Sequence, residues 1–318
     1  MEFEKAKLLI DNAQTICLVA HKKPDGDAVG CVGAMYHFLK ELGKDVYMVM
    51  PDVTPRFSFL PEMDKVVSRF PESKELDLLI CLDCSEIERR SSIAKEDLER
   101  AKKILVIDHH MNSSEEGDLR IVDSEAPANA EIVYKLIKYI NPTISKDVAT
   151  YLYVGIMTDT GSFNYERTTG DTYRVAAELV DTGVEFSKIC KKINDTYSES
   201  KMKLIAKVID NMESYCDGKI RVSVLDKEEQ EELNATEEDV DGLVTYLRCI
   251  EGTIAAVYIR WTKEGEYKYS IRTEEPIDGS EVARSFNGGG HKRAAGCTIK
   301  LSINKAVEEI LKVAKELL

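Results

Sequence analysis

Four short apolar runs recur early in the chain: ICLVA (16–20), VYMVM (46–50), LDLLICLD (76–83) and KILVID (103–108). Each is β-rich and too short for an independent helix. Runs this apolar must be covered on both faces, which is the mark of a parallel sheet flanked by helices. Helix-like stretches lie between them, such as 29–42, which closes at Gly43. The alternation predicts βαβ units, because parallel strands need a crossover connection. Further helices are expected at about 128–140, 146–158 and 170–182, the last closed by Thr182-Gly183.

At 318 residues the chain is long for one core and suits two domains. From 185 to 215 it turns polar and helical in pattern. A new pattern begins at Lys219: KIRVSVLD reads as a strand, and a helical stretch follows to about Ile250. TIAAVYIRW and YKYSIRT flank Gly265 as a β-hairpin. Asp278-Gly-Ser-Glu281 fits a capping box opening a helix to Phe286. A glycine loop, the strand GCTIKL and a C-terminal helix from about Asn304 complete the chain. The expected class is α/β. A doubly wound, mainly parallel sheet would occupy 1–185 and a helical linker 186–215. A smaller α/β domain, 216–318, would lie across a cleft.

The formal net charge of −14 repels the phosphates of long duplex DNA and anionic membranes. It leaves room for a short anionic substrate in a locally basic cleft. The opening MEFEKAKLLI lacks the apolar core of a signal peptide, and no stretch approaches the roughly 18 apolar residues of a membrane span. Eight cysteines, mostly inside apolar runs, point to buried free thiols and a reducing, cytoplasmic compartment. Cys81 and Cys84 form a lone CxxC. Without a second pair, core thiols on a strand are the better reading than zinc.

Polar residues collect where the strands end. His21, Asp25 and Asp27 follow the first run, Asp83 ends the third, and Asp108, His109 and His110 end the fourth. Ligands of open α/β sheets bind beyond the carboxyl ends of the strands. In GIMTDTGSF (155–163), Asp159 stands between a helix and a loop. Any one of these aspartates is more simply a helix cap or turn residue, and His109-His110 could be a solvated loop. Convergence of three strand ends on one rim makes that joint explanation poor. Oxygen ligands with imidazole suit manganese or magnesium, with zinc and iron as alternatives, and the set is large enough for two ions.

The order His21-x3-Asp25-x-Asp27, Asp83, Asp108-His109-His110, Asp159 resembles the four-motif signature of the DHH phosphoesterase superfamily. Gly288-Gly289-Gly290-His291-Lys-Arg-Ala-Ala-Gly296 resembles the GGGHxxAAG motif of the associated DHHA1 domain. The combination is similar to the nanoRNase and pAp-phosphatase branch, and to stand-alone phosphodiesterases of cyclic dinucleotides and pApA. The resemblance implies two divalent ions, foremost Mn2+. His21 and Asp25 would bind one, Asp27, His109 and Asp159 the other, and Asp83 would bridge both. Two acids two residues apart then reach different cations, and a shared water is acidified into a nucleophile.

His110 is implied to lie near the scissile phosphate, where it stabilises charge or protonates the leaving oxygen, or else orients His109 or Asp83. Asp108 is implied to orient its neighbours more than to ligate. In the second domain Gly288, Gly289, Gly290 and His291 would approach a phosphate closely, and Arg272 would grip a terminal phosphate. The plain alternative for the glycines is a hinge. Lys292 and Arg293 add charge there, as Lys22 and Lys23 do at the metal rim. One departure bears on substrate preference. Many relatives carry an arginine after the Asp-Thr-Gly-Ser-Phe stretch and then an Asn-Thr pair. Here Asn164 and Arg167-Thr168 stand at or near those places.

The implied activity is hydrolysis of short oligoribonucleotides and dinucleotides such as pApA to mononucleotides. The alternatives are a pAp 3′-phosphatase in the same site, a cyclic di-AMP phosphodiesterase, or an inactive nucleotide-binding sensor. The last would be marked by loss of a ligand, and none of the six is lost. A pyrophosphatase would need a different C-terminal domain. Expected partners are short RNA, pApA, pAp or cyclic di-AMP, without long duplex nucleic acid or a membrane, and with a homodimer left open.

Overall fold

The structure, a computed structural model, describes residues 2–84, 95–110, 117–263, 265–300, 305, 307–309, 311 and 312. The chain divides into two compact units, Met1–Asp195 and Thr196–Leu318.

The first unit runs α1 (Glu2–Asn12), β1 (Thr15–Val19), α2 (Gly26–Glu41), β2 (Asp45–Val49), two 3-10 turns (Pro55–Phe57 and Met63–Lys65), β3 (Leu76–Leu82), α3 (Lys95–Arg100), β4 (Ala101–Asp108) and β5 (Leu119–Val122). It then continues as α4 (Asn129–Ile140), α5 (Lys146–Asp159), α6 (Gly170–Asp181) and α7 (Phe186–Asn194). The strands pair in the order β2-β1-β3-β4-β5, all parallel. The four apolar runs are β1 to β4. Period-two alternation splits their side chains between two cores. Ile16, Leu18, Leu78, Ile80 and Leu105 pack with α2, α4 and α5, while Cys17, Val19, Leu79, Cys81 and Val106 pack with Phe70 on the other face. Cys81 is thus a core thiol, and Cys84 is buried as well.

Two elements had no clear sequence signal. β5 is only four residues long, and of these only Ile121 is buried. α1 buries only Ala6 and Ile10, too few for a readable stripe. Thr182-Gly183 closes α6 as expected, with Gly183 at φ +95°.

The second unit contains α8 (Glu199–Asp210), β6 (Glu213–Tyr215), β7 (Ile220–Leu225), α9 (Lys227–Glu232), α10 (Glu237–Val240), α11 (Val244–Arg248), β8 (Ala255–Lys263), β9 (Glu266–Thr273), α12 (Gly279–Arg284), β10 (Gly289–His291) and β11 (Ala294–Ile299). Its sheet has the order β10-β11-β9-β8-β7-β6, with only β7 and β8 parallel. The sequence suggested one helical stretch to about Ile250. The structure breaks it into three helices, because Asp226 and Thr236 each start a capping box and Asn234 and Gly242 take positive φ. The glycine stretch is not a loop: Gly289, Gly290 and His291 form the edge strand β10. Residues 305, 307–309, 311 and 312 are helical, and the suggested start at Asn304 lies outside the described residues.

The stretch 186–215 holds α7, α8 and β6 and is shared between the units. Ile189 and Ile193 of α7 bury in the first core, while Leu204 and Val208 of α8 bury in the second unit. Among the described residues, no helix is long and apolar enough to cross a membrane.

Candidate metal centre

Sheet order 2-1-3-4-5 reverses direction between β1 and β3, and ligand crevices form at such a switch point. His21, Asp25 and Asp27 leave β1 there, and Asp83 leaves β3. Asp83 is 3% exposed and takes φ +56°, a left-handed conformation that costs a non-glycine residue free energy and is enriched at functional sites.

Asp83 spans two clusters. Its Oδ2 lies 3.6 Å from His21 Nε2, and its Oδ1 lies 3.5 Å from His109 Nε2. His21 Nε2 is also 3.7 Å from Asp25 Oδ2. His109 Nε2 is 3.5 Å from Asp159 Oδ2 and 3.9 Å from Asp27 Oδ2. These separations are too long for hydrogen bonds. The ligand atoms of His21, Asp25 and Asp83 all lie within 4.8 Å of one another, as do those of Asp27, His109 and Asp159.

Both imidazoles have a defined tautomer. His21 Nδ1 donates to Lys22 O at 2.9 Å, and His109 Nδ1 donates to Ala126 O at 3.0 Å. A carbonyl can only accept, so in the neutral ring the proton sits on Nδ1 and the Nε2 lone pair faces the carboxylates. Each carboxylate is tied down as well. Asp25 Oδ1 accepts from the N–H groups of Asp27 and Ala28 and caps α2, leaving Oδ2 toward His21. Helix cap and ligand candidate are therefore two oxygens of one residue. Asp27 accepts from Asn129 N at 2.6 Å and Ala130 N at 2.9 Å. Those amides open α4, whose N-cap residue, Ala128, has no side-chain acceptor. Gly155 makes the close approach feasible, since a Cβ there would sit 2.8 Å from Asp27 Oδ1.

Electrostatics agree with the geometry. Burial, with added repulsion from Asp159 and Asp25, pushes the Asp27 carboxyl well above the usual range. Burial and the charges of Asp27, Asp25 and Asp108 do the same to Asp83. Burial raises Asp159, although His109 pulls against it. Asp83 Oδ1 is buried and, among the described residues, accepts no hydrogen bond. A buried acceptor without a donor, three mutually repelling carboxylates and two aimed imidazole nitrogens fit hard divalent cations.

Asp108 has a different task. Its Oδ1 accepts from His109 N, His110 N and His110 Nδ1, at 2.8, 3.2 and 2.8 Å. It orients the histidine pair. His110 stacks edge-on against His109, and its side chain is 31% exposed. Sequence reading missed the backbone partners Ala126, Asn129 and Ala130, and Cys31, whose thiol donates to Asp27 Oδ1 at 3.5 Å. Backbone groups leave no trace in residue identity, although an uncapped helix start at Ala128 was a readable hint. At the noted departure, Asn164 Nδ2 bonds Gly161 O and Ser162 O within its own turn, while Arg167 Nη2 donates to Ser124 O and Ala126 O.

In the second unit, strand register gathers the remaining expected residues. Ala294 of β11 pairs with Arg272 on one side and His291 on the other, so all three share a face. Gly289 joins that face two residues before His291. Toward β8 the same face carries Ala256 and Tyr258, buried under α8, α10 and α11. Toward the edge it stays polar and partly or fully exposed. The three glycines differ. A Cβ on Gly288 would sit 2.3 Å from Gly296 O, and one on Gly290, at φ +137°, 2.5 Å from Ala294 O. Among the described residues, a Cβ on Gly289 would meet nothing within 4 Å.

Comparison with known proteins gives the same division. Residues 15–156 match the model of the DHH family, N-terminal domain, and residues 217–318 match that of the DHHA1 domain. The bifunctional oligoribonuclease and PAP phosphatase NrnA of Thermus thermophilus is 32% identical over 303 residues, covering 95% of this chain and 89% of that protein. Its namesake in Bacillus subtilis is 30% identical, covering 90% of this chain and 89% of that protein. The crystal structure of an exopolyphosphatase-related protein from Bacteroides fragilis superposes with a TM-score of 0.91 at 27% identity, covering 99% of this chain and 97% of that one. With a DHH N-terminal domain within the first unit and a DHHA1 domain within the second, the chain belongs to the DHH family.

Proposed function

We propose that this protein is a divalent-metal phosphohydrolase that degrades short oligoribonucleotides and dinucleotides such as pApA to mononucleotides. A pAp 3′-phosphatase activity in the same site accompanies it, as the paired activities in the names of the Thermus and Bacillus relatives suggest. The observation that carries the reading is Asp83: one buried carboxylate with an oxygen toward each of two imidazole–carboxylate clusters.

In this reading His21 and Asp25 hold one ion, Asp27, His109 and Asp159 hold the other, and Asp83 serves both. Bound divalent ions, Mn2+ foremost, supply phosphate charge neutralisation and an acidified water. Nδ1 of His110 is held by Asp108, which leaves its Nε2 end for a phosphate oxygen or the leaving group. Arg272, Gly289 and His291 recognise the terminal phosphate. The open space over Gly289 supports this, because neither backbone conformation nor packing against the described residues requires a glycine there.

A side-by-side Mn2+ assay of pApA, pAp, cyclic di-AMP and a five-residue RNA, resolved by product, tests the proposal. Fast turnover of pApA and the short RNA, with pAp dephosphorylated and cyclic di-AMP slow, is expected. Comparable opening of cyclic di-AMP would make the protein a signalling phosphodiesterase. No turnover of any substrate would leave a nucleotide-binding sensor.

A further inference from the structure

We propose that Arg167 is a positioning residue that fixes the ring of His109; its consequence for metal binding rests on the function proposed above. Arg167 Nη2 donates to two carbonyls, Ser124 O and, at 3.2 Å, Ala126 O. Ala126 O is also the acceptor for His109 Nδ1, at 3.0 Å. A carbonyl oxygen has two lone pairs, and these two donors fill them. The proton on His109 Nδ1, and hence the Nε2 lone pair facing Asp27, Asp83 and Asp159, depends on where that carbonyl points.

Ala126 and Ala128 are buried in the core of the first unit, but among the described residues no side chain other than Arg167 and His109 bonds this carbonyl. The segment between β5 and α4 is short of side-chain anchors: Ala126 N bonds Asp123 O, Glu125 N bonds Asp123 Oδ1, and Asp123 N bonds Asp108 O. These bonds shape the turn locally. Arg167, on the far side of the turn that begins after Asp159, ties it to another part of the site. The same segment leads into Asn129 and Ala130, whose amides hold Asp27. One exposed guanidinium thus secures the support of His109 directly and the approach to Asp27 beside it. Arginine suits the task, because one Nη carries two hydrogens in fixed directions and reaches both carbonyls at once. A lysine ammonium lacks that fork. Partners behind a metal-facing histidine usually matter about 10–100-fold for metal affinity or activity.

The test compares wild type with Arg167→Ala and Arg167→Lys, with thermal unfolding confirming that each variant is folded. The chain has only five histidines, so nitrogen-15 spectra of the metal-free protein can report the tautomer of His109. Wild type should show a single form with the proton on Nδ1. Arg167→Ala should show mixed forms, bind Mn2+ about tenfold more weakly and lose kcat about as much, with KM for pApA unchanged. Arg167→Lys should fall between. An unchanged tautomer in Arg167→Ala overturns the proposal, and so does a raised KM with unchanged Mn2+ binding, which would make Arg167 a substrate contact. If wild type itself binds no Mn2+, the two-metal reading fails, while the tautomer still decides the role of Arg167.

Discussion

The metal rim of the first unit and the arginine–glycine face of the second solve opposite problems. The rim buries Asp27, Asp83 and Asp108 nearly completely, crowds like charges and leaves Asp83 Oδ1 without a donor. The face on β9, β10 and β11 is partly or fully exposed, carries positive charge and crowds nothing at Gly289. Burial strengthens each electrostatic interaction and makes each unmatched one costly. A site under such tension suits chemistry on bound cations. A site open to water suits the reversible capture of an anion. If this contrast is right, substitutions at the rim should change turnover, and substitutions on the face should change binding.

The largest expected effect is at the rim. Asp83→Ala should lower kcat by at least about a thousandfold and weaken metal binding at both clusters, because each faces one oxygen of this carboxylate. The metal-free variant should unfold no lower than wild type, since a repelling buried charge is gone and Oδ1 accepts no hydrogen bond among the described residues. Metal titration, steady-state kinetics and thermal unfolding check this. Near-normal activity would end the bridging assignment.

On the face, Arg272→Ala should raise KM for pApA about 10–100-fold, the usual range for a charged hydrogen-bonding contact, with kcat nearly unchanged. Hydrolysis of bis-p-nitrophenyl phosphate, which has no terminal phosphate, should hardly respond. Equal losses on both substrates would remove the distinction between the two regions.

The contrast was only partly legible in the sequence. β1 to β4 announced themselves as apolar runs, and their carboxyl ends carried the acids and histidines that the structure brings together. Those signals are strong because a parallel sheet buried on both faces tolerates few polar residues except at its ends. The supports were hidden. Asp27 is held by backbone amides 102 and 103 residues away, and the His109 tautomer by a backbone carbonyl; neither leaves a side-chain pattern. The glycine stretch was legible as a motif but not as a strand, because glycine has low β-propensity and only pairing with β11 makes β10 extended. The departure at Asn164 and Arg167 was visible as an exchange of residue types. That the arginine clamps carbonyls required coordinates.

Two neighbouring glycines sharpen the comparison within the face itself. Gly288→Ala places a Cβ against Gly296 O and Cys297 and should cost about 1–3 kcal/mol of stability, as overpacking does. Gly289→Ala meets open space, so stability should stay within about 0.5 kcal/mol, while KM for pApA rises about three- to tenfold. Paired unfolding and kinetic measurements separate the two. A stable, kinetically silent Gly289→Ala would show that no ligand comes close to that position.

The smallest effect is a slope. Asp27, Asp83 and Asp159 have carboxyls raised above their ordinary value. The metal-free folded state therefore holds protons that the unfolded chain releases near pH 4. Stability should fall as pH rises from about 4 through the raised values, because the native state is the one binding more protons. Asp77, at the other end of β3, behaves oppositely. The Thr15 N–H and Lys102 bring it down to about 2. Its contribution is present above about pH 4 and is lost as pH falls toward 2. Together they predict a maximum near pH 4 for the metal-free protein, then a decline in Tm toward neutrality. Divalent metal should remove the decline, since bound cations favour the ionised carboxylates. It should leave the Asp77 share of the acid limb alone, because Asp77 belongs to no metal cluster among the described residues, whereas Asp25, also lowered, does belong to one. A Tm profile that metal shifts equally at pH 5 and pH 8 would mean that the rim carboxylates are not the source of the slope.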